Sequence, residues 1–231
     1  MEARKSDAAH RMIELNWSKD RQRPLTILCL GAHSDDIEIG CGATLLQLSR
    51  SDAKPRFCWA VLSANGARQT EARRAAQLFT DGCESEVYLK EFRDGYLPYE
   101  GGAVKDFFEE IKSRINPDLI FTHWQGDAHQ DHRLVSELTW NTFRNHLILE
   151  YEIPKFDGDL GRPNTFVPLE EWAVRQKVSN LVTIFESQRT KPWFSDDTFL
   201  GLMRLRGMES NAASGYAEAF YTRKMVIDPL A

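Results

Sequence analysis

Two short stretches contain the side chains whose types and spacing could do chemistry. The first is GAHSDDIEIGCG, residues 31–42, in which His33 and Asp36 are three residues apart with Asp35 between them. An imidazole nitrogen and a carboxylate oxygen are ligands that zinc accepts at about 2.0 to 2.2 Å. The same aspartates could instead cap a helix that begins near Gly42. The spacing alone therefore leaves both roles open.

The second stretch is GDAHQDHRLVSELTW, residues 126–140, in which His129 and His132 are again three residues apart. Asp127 precedes this pair and Asp131 lies within it. Apolar residues continue at helical spacing afterwards, so we predict a helix that begins near Asp131 or His132. Two histidines with two acids at the start of a helix favour a metal or acid–base site, and a solvated polar loop is the alternative.

Joined, the two stretches predict a catalytic metal site with three protein ligands: His33, Asp36 and His132. Three ligands leave a fourth position for water, which is typical of catalytic zinc. Zinc lowers the pKa of a bound water toward about 7, and Asp35 would then accept its proton as general base. His129 would stabilise the oxyanion and protonate the leaving amine, and we predict that Asp131 orients it through its other ring nitrogen.

Strands and helices must alternate to position these residues. Apolar, β-rich runs predict strands at Leu25–Leu30, Phe57–Leu62, Glu86–Leu89 and Leu119–Thr122. Helical spacing between them appears over Ala72–Phe79 and over Val104–Ile115. This alternation predicts a mostly parallel sheet covered by helices, with the site at the carboxyl ends of the strands. The two clusters would converge if the first and fourth strands are neighbours.

The pattern weakens after residue 147. Residues 148–172 mix aromatic, acidic, Gly and Pro residues, as a long loop or an edge strand near a site would. We predict a strand over Lys177–Phe185, a helix over Asp197–Met208 and a closing strand over Tyr221–Ile227.

The bulk properties limit the function classes. The chain has 231 residues, a net charge of −5 and a pI near 5.7, which argues against nucleic acid or an anionic membrane as partner. No run reaches the roughly 18 to 20 apolar residues of a membrane span, and we expect a cytoplasmic protein. Residues 1–23 read as a polar leader with a short helix around Met12–Trp17, and residues 24–231 as one domain.

The motifs also resemble those of a known family. AHSDDIEIGCG looks like the A-H-P-D-D-E signature, and HQDH like the H-P-D-H signature, of the PIG-L/LmbE-like zinc deacetylases, which remove acetyl groups from N-acetylglucosamine units. RQTEARRAA (68–76), FRDGYL (92–97) and GYAEAF (215–220) resemble three further segments of that family. Ser34 replaces the family's proline, and Ile37 stands where the family often has glutamate.

The resemblance implies a Rossmann-like α/β domain, the same metal, base and acid positions, and an acetylated sugar as substrate. It also implies that Arg68 and Asp94 contact the sugar; without it they read as a solvated helix residue and a turn former. Zinc is the expected metal, although two histidines and one aspartate also accept ferrous iron. Relatives in the family are often oligomers, so the resemblance implies a homo-oligomer.

Two alternatives stay open. The same metal chemistry would serve an amidase or esterase that acts on another small acylated substrate. A phospho-receiver signalling module also places an acidic pair after its first strand, but it needs an aspartate at the end of the third strand and a lysine at the end of the fifth.

Overall fold

The first five strands alternate with helices along the chain, as the apolar pattern predicts. A computed structural model describes residues 23–227, so the helix predicted around Met12–Trp17 lies outside the described residues. Within residues 23–227 the strands are β1 Thr26–His33, β2 Arg56–Ser63, β3 Ser85–Leu89, β4 Leu119–His123, β5 Leu147–Tyr151, β6 Thr165–Pro168 and β7 Ala217–Tyr221. The α-helices in that range are α1 Asp36–Arg50, α2 Ala67–Phe79, α3 Gly101–Arg114, α4 Gln130–Thr142, α5 Glu171–Ile184 and α6 Asp196–Glu209.

The strands form one sheet in the order β3-β2-β1-β4-β5-β7-β6. The strands from β3 to β5 in this order are parallel, whereas β7 runs antiparallel to both of its neighbours. The mostly parallel α/β fold is therefore confirmed. Because β1 and β4 are adjacent and parallel, the loops that follow them meet at one edge of the sheet.

Helices cover both faces of the sheet. Ile27 and Cys29 of β1 belong to the core beneath α1, α2, α5 and α6. Leu28 and Leu30 belong to a second core beneath α3 and α4. Burial on both faces explains why the central strands read as continuous apolar runs. In the described range, no helix combines the length and apolarity needed to cross a membrane.

The predicted strand over Lys177–Phe185 is wrong. These residues form most of α5, which begins earlier at Glu171. Val174, Val178 and Leu181 recur at helical spacing and are buried. Val178, Leu181 and Ile184 of VSNLVTIF therefore pack as one buried face of a helix, because burial outweighs intrinsic strand preference.

Two other boundaries differ from expectation. The closing strand is β7, Ala217–Tyr221, and it shares only Tyr221 with the predicted Tyr221–Ile227. β7 is paired on both sides, by β5 and β6, whereas Val226 beyond it is 97% exposed. Segment 148–172 is neither one loop nor one edge strand, because it contains most of β5, all of β6 and the start of α5.

The strand ends exclude the phospho-receiver reading. The third strand along the chain ends at Leu89 and the fifth ends at Tyr151. Neither end carries the aspartate or the lysine that a receiver site needs.

Helix α1 begins at Asp36, not near Gly42, and a glycine allows it to lie close to the sheet. A Cβ added at Gly40 would lie 2.2 Å from the ring of Tyr151. This ring is buried, and its hydroxyl donates to the Leu30 carbonyl at 2.6 Å. We expect Gly40→Ala to lower the free energy of unfolding by about 1–3 kcal/mol, because the ring must move. Urea denaturation measures this change.

Gly201 in α6 provides the matched control. A Cβ there would meet no atom within 4 Å, and alanine is the better helix former by about 0.5–1 kcal/mol. Gly201→Ala should therefore leave stability unchanged or raise it. Equal destabilisation by both substitutions would contradict the close approach of Tyr151.

Candidate metal centre

The two sequence clusters meet where β1 and β4 end. His33 is the last residue of β1, and Asp36 opens α1 three residues later. His132 lies in the first turn of α4, which follows β4. All three side chains are buried. The convergence predicted from the sequence is confirmed by this arrangement of strands.

The three proposed ligands point their donor atoms at one another. His33 Nδ1 lies 3.2 Å from Asp36 Oδ2 and 3.2 Å from His132 Nε2. His132 Nε2 lies 3.5 Å from Asp36 Oδ1. Tetrahedral zinc with bonds of about 2.0–2.2 Å separates its ligands by roughly 3.3–3.6 Å. The two nitrogens are therefore spaced like ligands of one ion, while the two distances to Asp36 end on different oxygens of its carboxylate. Two overlapping groups of donor atoms close enough to hold a metal ion meet here: His33, His129 and His132, and Asp36, His123 and His132.

The protonation states of His132 and Asp36 also suit a cation. Burial and the neighbouring His123 lower the pKa of His132 to about 4, so this imidazole is neutral at pH 7. Burial raises the pKa of Asp36, but His132, His123 and His33 outweigh it and hold that pKa well below its ordinary value. A neutral imidazole and an ionised carboxylate are the forms that bind metals.

Carboxylates surround His33. Burial lowers the pKa of His33, but Asp36, Asp131 and Asp94 outweigh burial and raise that pKa well above its ordinary value. The cluster therefore favours positive charge at this point, as a divalent cation would supply.

Asp131 does not lie where the sequence prediction places it. Its carboxylate contacts His33 Nε2 at 3.2 Å and accepts the backbone N–H groups of Gly95 and Leu97 at 2.7 and 3.1 Å. Only its backbone N–H reaches His129, at Nδ1 and 3.2 Å. Asp131 therefore orients His33 through its carboxylate and His129 through its main chain, because the start of α4 turns the side chain toward β1.

His129 lies beside the proposed ligands. Its ring centroid is 5.0 Å from that of His33 and 4.6 Å from that of His132. Since Nδ1 accepts the Asp131 N–H, the neutral ring carries its proton on Nε2. Burial and His33 lower the pKa of His129, which favours this neutral form. His129 is thus an N–H donor at the edge of the cluster.

Asp35 takes part in a chain of charged groups. Asp35 Oδ1 lies 3.1 Å from Arg68 Nη2, and Arg68 Nη1 lies 3.1 Å from Asp94 Oδ2. Asp94 Oδ1 in turn lies 3.1 Å from His33 Nε2. Arg68 and Asp94, which only the family resemblance indicated, therefore lie in the same cluster. The Asp35 side chain occupies the N-cap position of α1 but makes no capping hydrogen bond.

The environment makes Asp35 more basic than an ordinary aspartate. Burial and the charge of Asp36 raise the pKa of Asp35, and Arg68 partly offsets them. A raised pKa brings a carboxylate closer to the range in which a general base works well.

Sequence reasoning gave no role to Asp127. Its Oδ2 lies 2.9 Å from His132 Nδ1, and its Oδ1 accepts the backbone N–H of His129 at 2.7 Å. A carboxylate on the far nitrogen of a ligating histidine fixes the tautomer and orientation of the ring. Spacing within GDAHQDH does not reveal this contact, because it depends on the turn before α4.

His123 lies against the proposed ligands, and its buried Nδ1 has no hydrogen-bond partner among the described residues. It is fully buried, and its ring stacks on that of His132 with centroids 3.9 Å apart. Its Nε2 accepts the Ala32 N–H at 3.0 Å. The same nitrogen lies 3.2 Å from Asp36 Oδ2, and His123 forms with Asp36 and His132 a group of donors that could hold a metal ion. Sequence reasoning had left His123 outside the ligand set.

A separate cavity of about 380 Å³ is lined in part by the first residues of the β4–α4 loop. None of the clustered histidines or of their aspartate partners lines it; its lining residues are Trp124, Gln125, Gly126, Glu150, Asn164, Tyr221, Thr222 and Arg223. Trp124 stacks flat on Tyr221 there, with centroids 4.4 Å apart.

Comparisons with known proteins agree with this geometry. The family model described as PIG-L, GlcNAc-PI de-N-acetylase, matches residues 28–143, a span that contains both clusters. YaiS of Escherichia coli strain K12, described as an uncharacterized deacetylase, is 32% identical over 142 residues, or 55% of this chain and 74% of that protein.

Solved structures share the fold. N,N'-diacetylchitobiose deacetylase from Pyrococcus horikoshii superposes with a TM-score of 0.62 at 20% identity, over 89% of this chain and 87% of that one. GalB, the 4-carboxy-2-hydroxymuconate hydratase of Pseudomonas putida KT2440, gives 0.71 at 16% identity, over 90% and 100%. At these identities the structures establish a common fold alone, since one fold hosts several chemistries. Family match and sequence relative together show that the chain belongs to the PIG-L family of deacetylases.

Proposed function

We propose that this deacetylase is zinc-dependent and removes the N-acetyl group from an N-acetylglucosamine-type sugar. One observation carries the proposal. His33 Nδ1 and His132 Nε2 lie 3.2 Å apart, each 3.2–3.5 Å from one oxygen of the Asp36 carboxylate, and next to them lies Asp35, a buried carboxylate with a raised pKa. This combination supports hydrolysis of an amide by an activated water.

His33, Asp36 and His132 would hold the ion. When bound, zinc would polarise the acetyl carbonyl and lower the pKa of a water molecule. Asp35 would take the proton of the attacking water at a carboxylate oxygen. Its contact with Arg68 at 3.1 Å would hold the carboxylate in one orientation while it does so.

His129 would act on the other side of the carbonyl. Its Nε2–H would donate to the carbonyl oxygen as negative charge develops there, which is the role of an oxyanion-hole donor. As the C–N bond breaks, the leaving nitrogen needs a proton, and Asp35 would return to it the proton taken from the water. The neutral His129 would remain an N–H donor, because loss of its Nε2 proton would leave an imidazolate. The products would be acetate and the free amino sugar.

Arg68 and Asp94 are the proposed sugar contacts. Asp94 is half-exposed, with 56% of its side chain accessible, whereas Arg68 is 19% accessible. A carboxylate accepts hydrogen bonds from sugar hydroxyls, and a guanidinium group donates hydrogen bonds to them. Asp94 and Arg68 at the mouth of the buried cluster can therefore bind both the hydrogen and the oxygen of such hydroxyls.

Acetate release by the zinc-loaded protein tests the proposal. The panel contains free, nucleotide-linked and lipid-linked N-acetylglucosamine compounds, with Asp35→Asn as the control. Release that disappears in the variant supports the proposal, and the best compound names the substrate class. If the protein binds its metal but releases no acetate from any compound, the result would favour the alternative, an amidase or esterase that acts on another acylated substrate. If the protein neither releases acetate nor binds metal, the metal assignment would be overturned.

The dependence of kcat/KM on pH should reveal the electrostatic effect of Arg68 on Asp35. The Arg68 charge lowers the pKa of Asp35, so Arg68→Gln should raise that pKa. Because the base acts in its ionised form, the acidic limb of kcat/KM should move to higher pH. Measuring kcat/KM across the acidic range tests this shift.

Arg73 lies on the same helix and is exposed, so Arg73→Gln is the matched control and should leave the limb in place. A loss of activity in Arg68→Gln that is equal at every pH would contradict the electrostatic role. It would leave Arg68 as a sugar contact only.

A further inference from the structure

The connection between β5 and β6 carries a buried lysine that reaches the proposed metal loop. The side chain of Lys155 is only 8% exposed. Its Nζ lies 3.0 Å from Asp127 Oδ1, 2.5 Å from Asp159 Oδ2 and 3.8 Å from Asp157 Oδ2. A buried lysine needs such partners, because isolated charges are costly away from water.

Both of the nearer aspartates bind the loop before α4. Asp127 contacts His132 Nδ1 and accepts the His129 N–H, as described above. Asp159 accepts the Ala128 N–H at 2.7 Å. Lys155 therefore joins the β5–β6 connection to this loop directly through Asp127 and indirectly through Asp159, which lies in the same connection as the lysine.

The two oxygens of the Asp127 carboxylate have different hydrogen-bond partners. Oδ2 faces the imidazole of His132, while Oδ1 is shared by the Lys155 ammonium and the His129 N–H. A carboxylate held at Oδ1 by a cation cannot rotate freely, so its other oxygen stays directed at Nδ1. Without Lys155, Asp127 would keep only neutral donors at Oδ1 and its orientation would relax.

We infer that Lys155 is a positioning residue for the metal centre. It fixes the Asp127 carboxylate, and through Asp127 it fixes the ring of the ligand His132. The inference rests on the metal site of the proposed function, but it does not depend on which bond is cut. It adds residues 152–164 to the parts of the chain that determine metal affinity.

A second buried pair supplies the structural comparison. Lys177 Nζ lies 2.6 Å from Glu218 Oε1, with each side chain 3% exposed, and it donates to the Ile39 carbonyl. Glu218 also accepts the backbone N–H groups of Ala43 and Thr44. The pair holds α1 against α5 and β7 and contacts none of the proposed ligands. Replacing Lys177 therefore measures how much folding stability is lost when a buried lysine that does not contact the metal centre is removed.

Zinc affinity, measured by competition with a chromophoric chelator, tests the inference. Asp127→Asn should weaken zinc binding about 10- to 100-fold, as is typical when the partner of a ligating histidine is lost, and Lys155→Met about tenfold. Lys155→Arg keeps a cation in place and should retain most of the affinity. Lys177→Met should lower the melting temperature but leave zinc affinity within about twofold, since distant sites act independently.

The double variant decides whether Lys155 acts through Asp127. If it does, adding Lys155→Met to Asp127→Asn should weaken zinc binding by no more than about twofold beyond Asp127→Asn alone. The visible spectrum of the cobalt-loaded protein should also change in Lys155→Met and not in Lys177→Met, because it reports ligand geometry. Lys155→Gln, whose neutral amide can still donate to the aspartates, replaces Lys155→Met if the latter fails to fold.

Three results would overturn the inference. Wild-type zinc affinity in Lys155→Met would show that the lysine serves the fold only. Fully additive losses in the double variant would show that it acts by a route other than Asp127. A wild-type protein that binds no zinc would remove the proposed metal site together with the inference, whereas the first two results leave the proposed function intact.

Discussion

Asp35→Asn is expected to keep the metal and lose nearly all turnover. Asparagine has the same shape, and its side-chain oxygen can still accept from Arg68, which lies 3.1 Å from the Asp35 carboxylate. It cannot take a proton from water, however. General base catalysis contributes about 10²- to 10⁴-fold to rates, so kcat should fall by a factor in that range.

Two measurements on the same preparation check this prediction. Acetate release gives kcat, and a zinc titration gives metal affinity, which should match that of the wild type because Asp35 is outside the proposed ligand set. Asp36→Asn is the contrasting variant, since it should lose both metal and turnover. Turnover by Asp35→Asn at the wild-type rate would exclude Asp35 as the base.

The second large effect concerns the metal and the stability of the fold. An ion that binds only the folded state stabilises it by about 2.7 kcal/mol at a hundred times its dissociation constant. For a chain of 231 residues, 1 kcal/mol corresponds to roughly 2–4 °C, so zinc should raise the melting temperature by about 5–11 °C. A chelator should reverse the shift.

His132→Ala should abolish this zinc-dependent shift, because it removes a ligand on which Asp127 and His123 converge. His146 is the matched control. It precedes β5 and contacts Asn116, at the edge of the sheet opposite the metal centre. His146→Ala should show the full shift in differential scanning fluorimetry, and a shift that persists in His132→Ala would contradict the ligand assignment.

Local pattern was sufficient to predict the central part of the fold. The strands β1, β2 and β4 were predicted within a few residues of their ends, because strands buried on both faces must be apolar throughout. The edge strand β3 is only partly buried and was predicted within one residue from its apolar end. The helix α6, which begins with two aspartates, was predicted within one residue of each of its ends. These are features that a short window of sequence contains in full.

The failures occurred where distant contacts decide the structure. Residues 177–185 contain a run with high strand preference, yet α5 forms there because its buried face packs on α1 and α2. The sequence likewise did not reveal that α1 begins at Asp36, because Gly40 and Gly42 are typical helix breakers. Their role becomes clear only when the aromatic rings that pack against them are known. Those rings belong to Tyr151 and Phe79.

The candidate site shows the same division. Residue types and spacing, together with the family resemblance, by themselves determined which side chains are candidates for metal binding and acid–base work, since ligand chemistry depends on residue type and can be read from sequence. Only the tertiary structure decided how they are supported: Asp131 lies on His33, Asp127 on His132, and Lys155 on Asp127. These contacts join loops that are far apart in the chain, and their geometry follows from the order of the strands and the path of the β5–β6 connection.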